Sequence, residues 1–195
     1  MCATVTARTM ADLVRVRDGV EGADLVEMRL DTVPDPDVAA ALKDRRLPVV
    51  VTCRRTAEGG HFNGGEQERR ALLLRALDAG AEFVDFEWQA GFDDVIQSRR
   101  GRNVVLSHHD FAGVPVDVAS RVDAMLATGA EVVKVAVMAS QLSDCLPLLE
   151  LSRKHRGRHL VLLAMGDAGL VTRVFAARFG SCWTYAGEGV APGQM

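Results

Sequence analysis

Hydrophobic and polar positions alternate along this chain with two different periods. Short runs rich in β-branched residues recur, and longer stretches between them repeat their apolar residues every three or four positions. The first pattern predicts strands and the second predicts amphipathic helices. The predicted strands cover residues 2–7, 23–31, 48–54, 83–89, 103–110, 131–138, 159–166 and 181–186.

The helical pattern is clearest in five of the intervening stretches, and several of these end in glycine, as helix C-caps do. They cover residues 10–20, 66–80, 118–129, 142–155 and 169–180. Strands that alternate with helices pair in parallel through right-handed crossovers. Eight such strands predict an α/β fold, the (β/α)8 TIM barrel, as a single domain over residues 1–195.

An open doubly wound sheet is the competing fold. It usually carries a Gly-rich phosphate-binding turn after its first strand, whereas the corresponding segment here, TARTM, contains no glycine. After the eighth predicted strand only GEGVAPGQM follows, so we expect a barrel that lacks its final C-terminal helix. One side of such a barrel would expose apolar surface, which favours a homodimer.

Composition narrows the class of protein. With 48% hydrophobic residues and a net charge of −3, the chain can bury a good core and offers no basic field to nucleic acid. It has neither a membrane-spanning apolar stretch nor an N-terminal signal pattern, so we expect a cytoplasmic protein with no membrane partner. Its four cysteines form no C-x-x-C pair and no zinc spacing, which predicts reduced thiols and no metal.

Lysine is rare in this chain, and one lysine stands in an unusual place. Lys43 and Lys154 lie in polar neighbourhoods, whereas Lys134 lies inside the apolar run EVVKVAVM. Burial disfavours the ammonium form of a lysine, and only the neutral amine attacks a ketone to form a Schiff base. Lys134 is therefore a candidate nucleophile.

Barrel enzymes place their active sites at the carboxyl ends of the strands. The polar residues late in the predicted strands, or just beyond them, are Glu27, Arg29, Asp31, Arg54, Glu58, His109, Lys134, Arg173 and Gln194. The alternation along the second strand directs Glu27, Arg29 and Asp31 to one face. In a barrel this set would converge, and such a density of charge in a concave place is costly without a function.

Structural alternatives remain open for these residues. Glu27, Arg29 and Asp31 could be ion pairs that seal the interior, and Lys134 could pair with Glu27 or Asp31.

Arg54 could be a surface arginine beside Arg55, and His109 could be a satisfied core histidine. Of the two adjacent histidines, we expect His108 to be the structural one. A lysine nucleophile and a histidine base on neighbouring strands indicate an imine-forming lyase or aldolase. Several arginines indicate an anionic substrate, and a carboxylate is favoured because no phosphate-cradling Gly loop is present.

Six motifs, taken in order along the chain, resemble the type I 3-dehydroquinate dehydratase family. They are LVEMRLD (25–31), TCRRTAEGG (52–60), SHHDF (107–111), VVKVAVM (132–138), GLVTRVFAARFGSCWTYA (169–186) and APGQ (191–194). The resemblance implies a hydro-lyase of the shikimate pathway of aromatic amino acid biosynthesis. Its substrate would be 3-dehydroquinate and its product 3-dehydroshikimate, with no metal or organic cofactor.

The resemblance also implies roles for individual residues. Lys134 would form the imine, His109 would be the general base and acid, and Glu58 would orient His109. Arg173 would bind the substrate carboxylate. The residues that would hold the ring hydroxyls and the ketone region are Glu27, Arg29, Arg54 and Gln194.

The chain departs from the family pattern at several positions. His108 replaces the usual aromatic residue before the catalytic histidine, and Val190 replaces a hydroxyl-bearing residue of the closing loop. Ala139 replaces a common proline, Thr172 replaces a serine, and the usual C-terminal helix does not follow. Two alternatives therefore stay open: a weak or inactive barrel that binds a shikimate-type acid, and another imine-forming aldolase.

Overall fold

The structure, a computed structural model, describes residues 1–187 and divides the chain into two compact units, Met1–Phe86 and Glu87–Met195. The eight predicted strands are confirmed, each inside its predicted range. The single domain over residues 1–195 stays a prediction. The predicted absence of a final helix and the predicted site residue Gln194 lie outside the described residues.

The first unit alternates strands with helices. Its elements are β1 (Cys2–Val5), α1 (Met10–Asp18), β2 (Leu25–Arg29), α2 (Val38–Leu42), β3 (Val49–Thr52), α3 (Glu66–Asp78) and β4 (Phe83–Glu87), whose last residue begins the second unit. Consecutive strands pair in parallel. Side chains from Thr9 and Asp37 cap the first turns of α1 and α2, as hydroxyl and carboxylate N-caps do.

The parallel register of the first unit brings polar residues to one face of its sheet. Glu27 is aligned with Thr4, and Arg29 with Thr52, which is in turn aligned with Asp85. Because side chains alternate with a period of two, these five side chains share a face. All five side chains are buried. Because a buried polar group is costly without a partner, we expect hydrogen bonds and ion pairs on this face of the sheet.

The second unit continues the alternation. Its elements are α4 (Asp93–Ser98), β5 (Val104–Asp110), α5 (Val118–Ala127), β6 (Val132–Met138), α6 (Leu146–Lys154), β7 (Leu160–Met165), α7 (Leu170–Val174) and β8 (Tyr185–Ala186). Strand β6 pairs in parallel with both β5 and β7. Its residues are buried from Val132 to Val137, as expected for a central strand covered on both faces.

The segment before β8 runs along the beginning of β7. Ser181 forms an isolated parallel bridge with Leu160, and the backbone N–H of Leu162 donates to its Oγ at 2.9 Å. The backbone N–H of Cys182 donates to the Leu160 carbonyl at 2.7 Å. These bonds fix the direction in which the chain enters β8.

Two helix boundaries differ clearly from the prediction, and two helices were not predicted. The stretch predicted to be helical over residues 142–155 begins as a 3-10 turn, Leu142–Cys145, before α6 starts. Helix α7 ends at Val174 because Phe175 leaves helical geometry, so residues 175–180 of the predicted helix form turns. Helices α2 and α4 are short and were not predicted.

Among residues 1–187, no helix combines the length and apolarity needed to cross a membrane.

Candidate active site

Glu27 lies in the middle of β2 and is held from both sides by threonines. Thr4 Oγ1 on β1 donates to Glu27 Oε2 at 3.0 Å, and Thr52 Oγ1 on β3 donates to Glu27 Oε1 at 2.9 Å. Both bonds follow from the strand register, since the three side chains share a face. They fix the orientation of a carboxylate that is almost fully buried.

Arg29 ends β2 and forms a two-bond fork with Asp31. Its Nε donates to Asp31 Oδ1 at 2.9 Å and its Nη2 donates to Oδ2 at 2.7 Å. The ion-pair alternative considered for these two residues is therefore present. Burial works to raise the pKa of Asp31, but the hydrogen bonds and charge of Arg29, together with two backbone N–H groups, hold it below its ordinary value. Asp31 itself lies in a 3-10 turn just past the strand.

Arg54 lies two residues beyond β3 and is 3% exposed, which excludes the surface-arginine alternative. Its Nη2 lies 2.8 Å from Asp85 Oδ2, and its Nη1 lies 3.9 Å from Glu58 Oε2. Glu58 is also buried, and Arg55 Nη2 lies 3.6 Å from its Oε1. Two carboxylates therefore surround one buried guanidinium in the first unit.

Glu58 ends a one-turn 3-10 helix that starts at Thr56. The turn stops at Gly59, whose φ of 74° is in the left-handed region that glycine tolerates. Gly60 approaches the Arg54 carbonyl so closely that a Cβ atom would lie 2.1 Å from its oxygen. The two glycines thus explain the shape of the TAEGG segment and the position of Glu58.

In the second unit, Lys134 is 5% exposed in the middle of β6, between Val133 and Val135. Its Nζ lies 4.3 Å from the centroid of the Tyr185 ring on β8, over the face of the ring. This aromatic contact was not predicted from the sequence. It holds the amine against an apolar surface that also attracts a cation.

His109 lies on β5 and shares a face with Lys134. Ser107 is aligned with Lys134, and His109 follows Ser107 by two positions toward the carboxyl end of the strand. With strands about 4.8 Å apart and a rise of about 3.3 Å per residue, the Cα atoms of His109 and Lys134 lie about 8 Å apart. The His109 ring is half-buried and stacks on Phe111 with centroids 6.5 Å apart.

His108 points to the opposite face of β5, toward α5. Arg121 Nη1 lies 2.9 Å from its Nε2, and the Trp88 ring meets it edge-on at 5.8 Å. Burial, and then the charge of Arg121, lower the pKa of His108 against the opposing pull of Asp110 and Asp117. These contacts place His108 against a cation and an aromatic ring, and its structural role stays a prediction.

Arg173 on α7 is buried beside the carboxyl end of β7. Its Nη1 donates to the carbonyl oxygen of Ala164 at 2.6 Å. Within residues 1–187 its Nε has no hydrogen-bond partner, and burial lowers the pKa of the guanidinium with no acidic side chain to oppose it. A buried cation without a counter-charge is a ready site for an anion.

In the same described part of the chain, no three His, Cys, Asp or Glu side chains are grouped as metal ligands.

The type I 3-dehydroquinase family model matches residues 1–195. The chain belongs to this family. The resemblance seen in the six motifs is thereby confirmed.

Relatives and solved structures of type I 3-dehydroquinases agree with the match. The 3-dehydroquinate dehydratase of Methanothermobacter thermautotrophicus is 38% identical over 89% of this chain and 80% of its own length. That of Dehalococcoides mccartyi is 36% identical over 95% of this chain and 84% of its own length. The crystal structure of the Geobacillus kaustophilus enzyme superposes with a TM-score of 0.89 and 29% identity, covering 100% of this chain and 85% of that one. This likeness confirms the predicted (β/α)8 barrel class over an open sheet.

Within residues 1–187, the predicted site residues form two groups, one in each unit. The first unit holds Glu27, Arg29, Arg54 and Glu58, and the second holds His109, Lys134 and Arg173. Thr4, Thr52, Asp85 and Tyr185 contact these residues but were not singled out from the sequence. Asp85 had a detectable signal, since it is a charged residue inside the apolar strand FVDFE, as Lys134 is inside its own strand.

Proposed function

We propose that this protein converts 3-dehydroquinate to 3-dehydroshikimate as a hydro-lyase of the shikimate pathway (EC 4.2.1.10), with Lys134 as its imine-forming residue. The observation that carries the assignment is the environment of this amine. It is almost fully buried on an apolar strand, and a histidine lies on the same face of the neighbouring strand.

The reaction begins when the neutral amine of Lys134 attacks the C3 ketone of the substrate. The carbinolamine loses water and becomes an iminium, which withdraws electrons from the adjacent C2–H bond. Removal of the C2 proton gives an enamine. Its electrons then expel the C1 hydroxyl group, and hydrolysis of the resulting conjugated iminium releases the product and restores the amine.

His109 is the group that moves protons in this scheme. It takes the C2 proton and then delivers a proton to the departing C1 oxygen, so that hydroxide never has to leave as a free anion. Its place on the face shared with Lys134, about two residues nearer the carboxyl end of the sheet, supports this role. Glu58 is assigned as the carboxylate that orients the imidazole, in line with the family motif.

Arg173 is the binding site for the substrate carboxylate. Its guanidinium is buried, and within the described residues no carboxylate neutralises it, so a substrate anion would supply the missing counter-charge. Glu27, Arg29 and Arg54 are assigned to the ring hydroxyls and the ketone region. Each is nearly fully buried and oriented by polar contacts from neighbouring elements. Gln194 completes the proposed set.

The test is direct. The protein is incubated with 3-dehydroquinate while the absorbance of the conjugated enone product is followed, and a parallel sample is reduced with borohydride. We expect turnover and one substrate-derived mass on Lys134. Exposed Lys154, which pairs with Asp123 at 2.6 Å, is the internal control and should stay unmodified. An absence of both absorbance and adduct would exclude this function. Adduct without enone would favour a binding protein or another imine-forming enzyme.

We further propose that the protein works in the cytoplasm as a homodimer. All four cysteines lie in the described part of the chain as free thiols, which suits a reducing compartment. Large apolar side chains are exposed on the turn before α6, on α7 and just beyond the end of α7, including Leu142, Val174 and Phe175. Light scattering coupled to size-exclusion chromatography should give a dimer mass that Phe175→Asp lowers. A monomer at micromolar concentration would contradict the proposal.

A further inference from the structure

Four hydrogen-bond donors converge on the single carboxylate of Asp31, whose side chain is fully buried. Its Oδ1 accepts from Arg29 Nε at 2.9 Å and from the backbone N–H of Arg54 at 3.1 Å. Its Oδ2 accepts from Arg29 Nη2 at 2.7 Å and from the backbone N–H of His61 at 3.0 Å. Each oxygen thus holds one bond from β2 and one from the segment that follows β3.

The segment held by Asp31 contains Glu58. It begins at Arg54, two residues beyond β3, and closes at Phe62, whose backbone N–H donates to the Arg54 carbonyl at 3.1 Å. Gly60 N–H donates to the Arg55 carbonyl at 2.8 Å, which closes the turn further. Because Asp31 binds the backbone at both ends of this segment, it fixes where the turn sits relative to β2.

The Arg29–Asp31 ion pair is by itself weak evidence for stabilisation of the fold. A buried ion pair contributes little net stability, because the cost of removing both charges from water offsets their attraction. The contacts do orient the residues of the proposed site. The fork occupies the Nε and Nη2 edge of the Arg29 guanidinium, which leaves its Nη1 amino group to bind another acceptor.

We propose that Asp31 is a positioning residue that sets Arg29, Arg54 and Glu58 in register for substrate. This inference rests on the proposed function, since these three residues act on 3-dehydroquinate only if that function holds. Asp31 does not touch the reacting atoms in this scheme. It acts through the side chain of Arg29 and through the backbone that carries Arg54 and Glu58.

Asp31→Asn tests the proposal with almost no change of shape. In either orientation of the asparagine side chain, its NH2 group replaces an oxygen that accepts two hydrogen bonds. One of these bonds comes from Arg29 and the other from the segment after β3, so the NH2 group would face two donors. Because displacements near 1 Å cost on the order of 100-fold in rate, we expect kcat/KM to fall by about 100-fold. We expect the loss to be shared between a higher KM, from the arginines, and a lower kcat, from Glu58.

Each rate is divided by the amount of Lys134 that borohydride traps at saturating substrate. This normalisation removes the contribution of unfolded protein to the measured loss of rate. The dependence of kcat on pH is also compared between the variant and the unaltered protein. A displaced Glu58 should move the acidic limb of this profile, whereas a purely structural defect should leave the limb in place. The matched control is Asp18→Asn, in the same unit and outside the proposed site, which removes the charge of a carboxylate whose Oδ1 accepts from Arg17 Nε at 2.8 Å and lies 2.7 Å from Arg17 Nη2. It should leave kcat and KM unchanged.

If Asp31→Asn yields no folded protein, Asp31→Glu decides, since it keeps the charge but moves the carboxylate by one methylene. We expect it to fold and to lose on the order of tenfold in kcat/KM. Per trapped lysine, a kcat/KM within about twofold of the unaltered protein in either folded variant would overturn the positioning role. An unaltered protein with neither turnover nor adduct would instead overturn the proposed function.

Discussion

The Nζ of Lys134 lies over the face of the Tyr185 ring, 4.3 Å from the ring centroid. An aromatic face attracts a cation, and the proposed iminium carries one positive charge. The ring therefore lies where it would stabilise the nitrogen once that nitrogen has condensed with the ketone. The contact links β6 to β8, which are far apart in the sequence.

The ring contact can be tested by two substitutions at Tyr185. Tyr185→Phe keeps the aromatic face, whereas Tyr185→Leu keeps only apolar bulk. Because such contacts are worth about 0.5–2 kcal/mol, the leucine variant should form several-fold less borohydride-trapped adduct at subsaturating substrate. The phenylalanine variant should stay close to the unaltered protein. Equal adduct yields from the two variants would show that the aromatic face has no influence on the imine.

Replacement of Lys134 separates chemistry from stability. Lys134→Met keeps the length of the side chain, and we expect it to abolish both turnover and adduct. We expect the free energy of unfolding to stay the same or rise, because an amine that was withdrawn from water is removed. Chemical denaturation and enone absorbance check the two expectations. Lys154→Met, at an exposed ion pair, is the control for activity. Near-normal turnover of Lys134→Met would disprove the mechanism.

Removal of the Arg173 charge should weaken binding of the substrate carboxylate. A hydrogen-bonded charge pair is worth about 1.5–3 kcal/mol, so Arg173→Gln should raise KM by roughly 10- to 100-fold. The variant should unfold at a higher temperature when no ligand is present, since a buried cation without a counter-charge in the described residues is removed. Arg178→Gln, at an exposed arginine nearby, should change neither quantity. An unchanged KM in Arg173→Gln would place the carboxylate elsewhere.

His108 should make the stability of the fold depend on pH. Its folded pKa lies below the ordinary value of 6.5, first because of burial and then because of Arg121, while Asp110 and Asp117 oppose the shift. The unfolded chain therefore binds the proton more tightly, so this contribution is complete above about pH 6.5 and is lost as pH falls toward the folded pKa. His108→Phe removes the titrating group.

Denaturant unfolding of both proteins between pH 5 and pH 8 measures this contribution. We expect the free energy of unfolding to fall toward pH 5 in the unaltered protein and to fall less in His108→Phe. The difference should be confined to the range below about pH 7. Parallel curves for the two proteins would show that His108 keeps an ordinary pKa in the folded state.

Local patterns in the sequence were sufficient to locate the strands and the candidate nucleophile. All eight strands lie inside their predicted ranges, because β-branched runs bounded by polar turns suit a sheet covered on both faces. Lys134 could be found for the same reason, since a charged residue within a strand that is covered on both faces is buried on either face. Helix ends were less predictable. The apolar period of residues 169–180 is helical throughout, yet α7 ends at Val174.

The partners of the charged residues depended on tertiary structure. The sequence predicted that Glu27, Arg29 and Asp31 would share a region, but not that Glu27 would bind two threonines or that Asp31 would hold the backbone at Arg54. Each of these contacts joins residues more than 20 positions apart. Strand register and loop closure decide which side chains meet over such distances, and no periodicity within a single segment carries that information.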